Sequence, residues 1–175
     1  MSHDSNQSHH RRYNLTLQFI SESIQPPASI LDLGSRNPFS GILEENGFSV
    51  QNTDFDLDKN PENLQKYKTE IVTAFEIFEH LLNPLSVLEH LQADRLFASV
   101  PLDLWFAAAY RNPDDPWDSH FHEFEDWQFD WLLEHAGWKI IRRKKWTNPV
   151  KKIGIRPLFR LITPRWYIVE AVKNS

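Results

Sequence analysis

Residues 29–34 read Ser-Ile-Leu-Asp-Leu-Gly, and this stretch decides the fold class. Small and apolar residues run into a carboxylate, Asp32, and then into Gly34, which is typical of a buried parallel strand that ends in a glycine turn. A second strand-like run, residues 48–54, also ends in a carboxylate, Asp54. Strand, glycine turn, short helix, strand and acid is the order of an α/β nucleotide-binding half. The sequence therefore predicts a ligand site at the carboxyl ends of these strands.

The rest of the chain continues this alternation of strands and helices. Residues 12–24 place apolar side chains at near-helical spacing, after a polar stretch, residues 1–11, that we expect to be disordered. Because strands alternate with helices, the sequence predicts an α/β, Rossmann-like fold with a mostly parallel sheet, helices on both faces and an antiparallel edge strand. The further predicted strands are 70–75, 95–100, 138–142 and 165–172, and the further predicted helices are 39–46, 61–67, 84–92 and 124–136.

The composition is that of an ordinary globular protein of 175 residues, with 41% hydrophobic and 25% charged residues. This length predicts one domain, residues 12–175, with a substantial core. No apolar run reaches the roughly 18 residues of a membrane span, and the polar N-terminus lacks the apolar core of a signal peptide, so we expect a cytoplasmic protein. The chain has no cysteine, which excludes disulfides, thiolate catalysis and zinc–thiolate sites.

Charge is divided unevenly along the chain. Residues 1–138 carry 8 Lys and Arg against 23 Asp and Glu, whereas residues 139–175 carry 11 against 1. The basic segment 139–165, which includes a predicted connection over 144–163, has two interpretations. It packs near the acidic body and lowers its self-repulsion, or it contacts an anionic partner such as a membrane surface or RNA. The acidic body argues against an RNA-modifying role for the basic segment, and we expect no DNA partner.

Five motifs together resemble the class I S-adenosylmethionine-dependent methyltransferases, in particular the small group whose fourth strand runs into a Glu-His helix start. The resemblance spans roughly residues 28–143, and it implies the cofactor S-adenosylmethionine and methyl transfer to oxygen or nitrogen of a small-molecule or lipid-linked acceptor. The motifs are 30–34 (Ile-Leu-Asp-Leu-Gly), 53–56 (Thr-Asp-Phe-Asp), 72–81 (Val-Thr-Ala-Phe-Glu-Ile-Phe-Glu-His-Leu), 99–101 (Ser-Val-Pro) and 133–138 (Leu-Glu-His-Ala-Gly-Trp).

The resemblance also implies roles for residues at the strand ends. Gly34 and its neighbours would line the methionine end of the cofactor, Asp54 would accept hydrogen bonds from both ribose hydroxyls, and Phe55 would lie against the adenine. The backbone at residues 75–76 would approach the methionine ammonium. The full set of expected cofactor residues is Asp32, Gly34, Ser35, Arg36, Asp54, Phe55, Phe75 and Glu76.

Three features depart from the family pattern. The glycine-rich turn is replaced by Ser35-Arg36-Asn37-Pro38, where Arg36 can contact the cofactor carboxylate or block the site. Residues 55–69 leave little room for a helix and a strand, so the strand that usually contacts adenine is expected to be missing or rudimentary. The loop at residues 92–94 lacks the usual Pro-Gly-Gly. These departures keep open a degenerate methyltransferase fold with a non-catalytic binding or regulatory role. The basic tail keeps open a second alternative, an RNA methyltransferase.

Candidates for the acceptor side lie in and after the Glu-His motif. A general base helps methyl transfer to a hydroxyl or an amine, and Glu79 and His80 are the catalytic candidates. An aromatic-rich segment, residues 102–122, looks like a long functional loop. A His-x-His pair beside an acid can bind a metal, but pocket lining is the favoured interpretation of that pair and no metal is assigned. The predicted substrate residues are Trp105, Tyr110, Trp117, His120 and His122.

Overall fold

A computed structural model describes residues 3–115, 118–147 and 155–174. In these ranges the chain forms one six-stranded sheet in the order β2-β1-β3-β4-β6-β5. All neighbouring pairs are parallel except those of β6, which runs antiparallel to both β4 and β5. This confirms the predicted α/β, Rossmann-like class. The strands are β1 (Ser29–Asp32), β2 (Ser49–Asn52), β3 (Ile71–Phe75), β4 (Arg95–Pro101), β5 (Trp138–Trp146) and β6 (Trp166–Lys173).

The strand that runs antiparallel to its neighbours is β6, and it lies next to the edge strand, β5, one position inside the edge that was predicted for it. Five consecutive residues of β6 are buried, whereas inner and outer residues alternate along β5. A strand that is apolar on both faces needs neighbours and cover on both sides, and an alternating, basic strand tolerates an edge. The last strand of the chain therefore inserts between β4 and β5.

Helices begin where the sequence supplies caps. The Asn37 side chain accepts hydrogen bonds from the backbone N–H groups of Phe39 and Ser40, and the Asn83 side chain accepts one from Ser86. A proline follows each asparagine at the first helical position, where its missing N–H costs nothing. The helices are α1 (His3–Ser21), α2 (Pro38–Glu45), α3 (Pro84–His90), α4 (Asp126–His135) and α5 (Ile155–Ile162), with 3-10 helices at Pro61–Lys66 and Phe78–His80.

Two segments differ from the expectation. Helix α1 begins at His3, inside the stretch predicted to be disordered, because no proline or glycine interrupts the chain before Ser21 and a packed helix propagates easily into a polar extension. Strand β5 continues to Trp146, and α5 lies within the predicted basic connection. Among the described helices, none is both long and apolar enough to cross a membrane.

The sheet carries an apolar cluster on each face. Adjacent residues of one strand point to opposite faces, so Ile30 belongs to one cluster and Leu31 to the other. Helices α1 and α2 cover the first face with residues such as Phe19 and Leu43, and α3 and α4 contribute buried residues such as Leu88 to the second. This packing leaves the carboxyl ends of the parallel strands free to build a site.

Candidate active site

Asp32 ends β1 and organises the turn that follows it. Its side chain is 2% exposed, and its carboxylate accepts hydrogen bonds from Thr73 Oγ1 (2.7 Å), Ser40 Oγ (2.9 Å) and Asn52 Nδ2 (3.0 Å). Burial raises the pKa of this carboxyl, and the hydrogen bonds oppose that rise. Through these hydrogen bonds Asp32 holds β1, α2, β2 and β3 together at the site.

Gly34 makes the tight turn above Asp32. Its φ is +88°, which side chains rarely adopt, and its N–H donates to Thr53 Oγ1 at 2.7 Å. A Cβ at this position would lie 3.0 Å from Ile77 Cδ1. The turn therefore needs a glycine both for its conformation and for the close approach of the segment after β3.

A cavity of about 270 Å³ opens beside this turn. Its wall includes aromatic rings: Phe39 lies edge-on to Phe75 (centroids 5.2 Å apart) and stacks on Tyr13 (5.5 Å). Two larger hollows near the amino ends of β1 and β2 contain none of the predicted site residues. The residues that line the cavity are Arg12, Tyr13, Thr16, Ser35, Asn37, Phe39, Phe75, Glu76, Ile77 and Ser99.

Glu76 is the charged centre of this cavity. It has a φ of +56°, uncommon for a residue with a side chain, directly after β3. Its carboxylate accepts a hydrogen bond from Ser99 Oγ (3.0 Å) and pairs with Arg12 Nη1 (3.2 Å). Burial raises the pKa of Glu76, and the charge of Arg12 opposes that rise. The cavity thus presents an anion and a cation side by side, which complements the ammonium and carboxylate of an amino acid.

The ribose and adenine side is built differently. Asp54 follows β2 and is exposed, and Phe55 stacks on Tyr67 with centroids 6.3 Å apart. Neither Asp54 nor Phe55 lines the 270 Å³ cavity. Between Asn52 and Ile71 the chain forms a 3-10 helix and no strand, so β2 is an edge of the sheet. As the sequence predicted, the segment between β2 and β3 lacks the strand that contacts adenine in the family.

Arg36 turns away from the cavity. Its guanidinium makes two hydrogen bonds to the Glu44 carboxylate on α2, at 2.8 and 2.5 Å. Of the two possibilities that the sequence raised for Arg36, cofactor contact and blockage, this arrangement shows neither.

Glu79 lies deep on the other side of the segment after β3. It is fully buried, and neither of its carboxylate oxygens has a hydrogen-bond partner among the described residues. Burial raises the pKa of this carboxyl well above its usual range, and the charge of Glu76 adds to the effect. Its backbone carbonyl accepts hydrogen bonds from the N–H groups of Phe121 (2.8 Å) and His122 (3.1 Å). The long loop after β4 is thus fastened directly to the Glu-His motif.

Two histidines meet beside Glu79. The rings of His80 and His120 are 5.0 Å apart and nearly perpendicular, and His80 Nε2 lies 3.9 Å from Glu79 Oε1. Burial lowers the pKa of His80, and the nearby His120 lowers it further. Both rings are oriented through Nδ1, which faces the backbone carbonyl of Ser119 (3.1 Å) in His80 and the Glu123 carboxylate (2.9 Å) in His120.

The loop after β4 also lines an open cavity of about 540 Å³, whose wall includes Tyr110, Asn112, His120 and Phe121. The structure therefore brings Tyr110 and His120 together, with ring centroids 5.2 Å apart. His122 instead stacks on Phe124, and its Nε2 is buried without a partner in the described ranges.

Trp105, a predicted substrate residue, is not among the residues that line this cavity. Trp105 is 71% exposed and packs on Phe106 and Phe159. Trp117 lies outside the described residues.

Sequence reasoning missed the residues that α1 brings to the site. Arg12, Tyr13 and Thr16 line the smaller cavity, although they precede β1 and belong to no motif. Arg12 also lies over the Trp166 ring, at 4.8 Å from its centroid. The one available signal was the cation at the start of the predicted amphipathic helix, and that signal does not say which strand end the helix crosses.

The fold and the strand-end site define the protein as an α/β protein of the class I methyltransferase type. The sequence model of the methyltransferase domain matches residues 6–143, well over half of the chain. The chain therefore belongs to the methyltransferase domain family, whose members are S-adenosylmethionine-dependent methyltransferases, and the family prediction from its motifs is confirmed. Among curated protein sequences, none matches this chain.

Solved structures share the fold. A SAM-dependent methyltransferase from Archaeoglobus fulgidus is similar over 94% of both chains (TM-score 0.65, 14% identity). The 1,6-didemethyltoxoflavin-N1-methyltransferase of Burkholderia thailandensis, with bound 1,6-didemethyltoxoflavin and S-adenosylhomocysteine, is similar over 93% of this chain and 78% of its own (TM-score 0.64, 16% identity). The magnesium protoporphyrin IX methyltransferase of Synechocystis PCC 6803, with bound SAM, is similar over 98% and 82% (TM-score 0.60, 14% identity).

Proposed function

We propose that the protein transfers the methyl group of S-adenosylmethionine to an oxygen or nitrogen atom of a small-molecule or lipid-linked acceptor. The observation that carries this proposal is that residues 76–80 line one cavity and contact a residue in the wall of another. Glu76 lines the smaller cavity, and His80 packs against His120, which lines the larger one. A donor in the first cavity and an acceptor in the second meet beside Glu79.

The charged and aromatic residues of the smaller cavity suit the methionine part of the cofactor. In our proposal Arg12 pairs with its carboxylate, Glu76 accepts from its ammonium, and the backbone at Gly34 lies alongside. Charge-assisted hydrogen bonds of this kind contribute about 1.5–3 kcal/mol each. Asp54 is assigned to the ribose hydroxyls and Phe55 to the adenine, as the family pattern implies.

The acceptor side assists the loss of a proton. Methyl transfer is an in-line displacement: a lone pair of the acceptor bonds to the methyl carbon while the carbon–sulfur bond breaks, which yields S-adenosylhomocysteine. The acceptor's proton passes to water. The sulfonium is already an activated leaving group, so alignment supplies much of the catalysis. We assign Glu79 and His80 to the release of the acceptor's proton, with Tyr110 and His120 lining its pocket.

Two of the similar structures bear on the class of acceptor. The Burkholderia protein is named for methylation at N1 of 1,6-didemethyltoxoflavin, and the Synechocystis protein for magnesium protoporphyrin IX. Both acceptors are small ring compounds. A cavity of about 540 Å³ with tyrosine and histidine in its wall accommodates an acceptor of that general class.

Exposed apolar residues on α5, beside the loop after β4, favour a lipid-linked acceptor or a membrane contact. On α5, Leu161 is 51% exposed and Ile162 is 73% exposed. The ring of Trp105 lies 4.9 Å from Phe159 of the same helix. Arg160 and the rest of the basic segment supply the positive charge that attracts anionic lipid.

Sedimentation with vesicles tests the membrane contact. We expect the protein to sediment with phosphatidylserine-containing vesicles and not with neutral ones, and Ile162→Asp to reduce sedimentation several-fold. Ile141→Asp is the matched control, because Ile141 is an exposed isoleucine on β5 and not on α5. Equal sedimentation of wild type and Ile162→Asp contradicts the contact.

Isothermal titration with S-adenosylmethionine and S-adenosylhomocysteine tests the proposed function. We expect one binding site of micromolar affinity for each compound. If a sample that is folded by circular dichroism gives no heat of binding, the assignment is wrong. That result would favour the non-catalytic role, for which the structural argument is that no strand in the described part of the chain pairs with the outer edge of β2, where adenine would bind.

A further inference from the structure

The cluster of Glu79, His80 and His120 has the composition and spacing of a metal site. Each residue offers one ligand atom, and these three atoms lie within 4.8 Å of one another. One carboxylate and two imidazoles are a recurring ligand set for divalent transition metals. The three residues come from two segments about 40 positions apart, which the hydrogen bonds of Phe121 and His122 to the Glu79 carbonyl hold together.

The hydrogen bonds of the histidines orient them as ligands. His80 Nδ1 faces a carbonyl oxygen and must donate to it, and His120 Nδ1 faces the Glu123 carboxylate. These contacts leave the lone pair on Nε2 of each ring. A carbonyl or carboxylate behind the imidazole is the usual outer partner of a metal-bound histidine.

Glu79 supplies the strongest argument. A buried carboxylate without hydrogen bonds is costly, and protonation leaves a hydroxyl that also has no acceptor among the described residues. The charged groups around it are Glu76, Glu123, Arg12 and Arg165. Arg12 already pairs with Glu76, so the carboxylates around Glu79 are in excess. A cation between Glu79 and the two Nε2 atoms satisfies this carboxylate.

We propose that Glu79, His80 and His120 bind one divalent transition-metal cation of the zinc type. Two imidazole ligands disfavour magnesium and calcium, which prefer oxygen. Three protein ligands leave a coordination position for water or for an acceptor oxygen from the adjacent cavity. The second part rests on the proposed function: a hydroxyl bound to the cation loses its proton to water more readily before its oxygen attacks the methyl carbon.

Calorimetric titration of the full chain with zinc chloride, after treatment with EDTA and dialysis, tests the site. We expect one equivalent to bind, and Glu79→Gln and His120→Ala to weaken binding at least tenfold. His80→Gln provides a third variant at a less buried position. His135→Ala is the matched control, because His135 lies at the end of α4 with its Nδ1 on the Trp131 carbonyl. His9→Ala/His10→Ala excludes binding by the N-terminal histidines, and both controls should bind as wild type does.

A visible absorption band of bound cobalt, present in wild type and absent in His120→Ala, would support the same ligands independently. Failure of wild type to bind zinc, or unchanged binding by folded Glu79→Gln and His120→Ala, would overturn the proposal. Titration with S-adenosylhomocysteine on the same samples separates this outcome from a failure of the proposed function, since Arg12 and Glu76, which we assign to the methionine part of the cofactor, line the other cavity.

Discussion

The two halves of the proposed cofactor site differ in how well they are enclosed and hydrogen-bonded. The methionine side is a lined cavity in which the Arg12–Glu76 pair is largely buried, Ser99 holds the Glu76 carboxylate, and aromatic rings form a wall. The adenine side consists of an exposed Asp54 and a stacked pair of rings beside an edge strand. Hydrogen bonds and ion pairs are worth more where water is excluded. We therefore expect cofactor affinity to depend mainly on the methionine side.

The cause of this difference lies in the topology. The segment between β2 and β3 contains only a 3-10 helix, so nothing pairs with the outer edge of β2 to close the adenine side. On the methionine side, α1 brings Arg12, Tyr13 and Thr16 over the strand ends. The first helix thus contributes to the half of the site that is closed.

Arg12→Met is expected to have the largest effect on this comparison. It removes the cation that we assign to the cofactor carboxylate and leaves Glu76 buried without its ion-pair partner, a change that costs about 2–5 kcal/mol in comparable pairs. We expect S-adenosylhomocysteine affinity to fall about a hundredfold or more by calorimetry.

Two variants make the Arg12 test specific. Arg11→Met is the control, because Arg11 is the exposed neighbour of Arg12 and its guanidinium donates a hydrogen bond to the Thr147 carbonyl at 3.3 Å. Arg12→Met/Glu76→Gln removes both charges, and its thermal unfolding should be closer to that of wild type than the single variant's is. If Arg12→Met binds S-adenosylhomocysteine with wild-type affinity, the conclusion that affinity depends mainly on the methionine side is wrong.

Asp54→Ala probes the open side and should have a smaller effect. Loss of the bonds to the ribose hydroxyls weakens binding by about 1.5–3 kcal/mol, which is tenfold or somewhat more. The exposed Asp94, in the loop before β4, provides the control Asp94→Ala. Unchanged calorimetry of Asp54→Ala would remove Asp54 from the site, and a loss greater than that of Arg12→Met would reverse the ranking of the two sides.

The strand ends were predictable because their signals are local. A run of apolar residues followed by Asp32 and Gly34 specifies a buried strand and a turn whatever the rest of the chain does. The Asn-Pro pairs likewise specify helix starts, since the cap and the missing N–H act within one turn. Family resemblance then placed a cofactor at these ends.

The non-local parts of the site were not predictable. The sequence offers Glu79, His80 and His120 as separate candidates, and only the path of the loop after β4 brings the two histidine rings to 5.0 Å. The pairing of Arg12 with Glu76 joins residues 64 positions apart through the packing of α1 on the sheet. The position of β6 between β4 and β5 depends in the same way on burial of both strand faces, which a single segment does not reveal.

Arg36→Ala should have the smallest effect and sharpens the comparison from the other direction. By sequence, Arg36 occupies the turn where the family has glycine, so a role in binding or blocking was plausible. In the structure its guanidinium pairs with Glu44 on the surface, and exposed pairs of this kind contribute little to stability because solvent screens them. We expect cofactor affinity within about threefold of wild type by calorimetry and a nearly unchanged melting temperature.

Glu44→Ala frees Arg36 without removing it, and the variant should also bind the cofactor as wild type does. If Glu44→Ala alters affinity and Arg36→Ala does not, the guanidinium released from Glu44 reaches the cofactor cavity. Arg36 would then be a second cation for the methionine side, which the pair with Glu44 keeps out of the cavity in the wild-type protein.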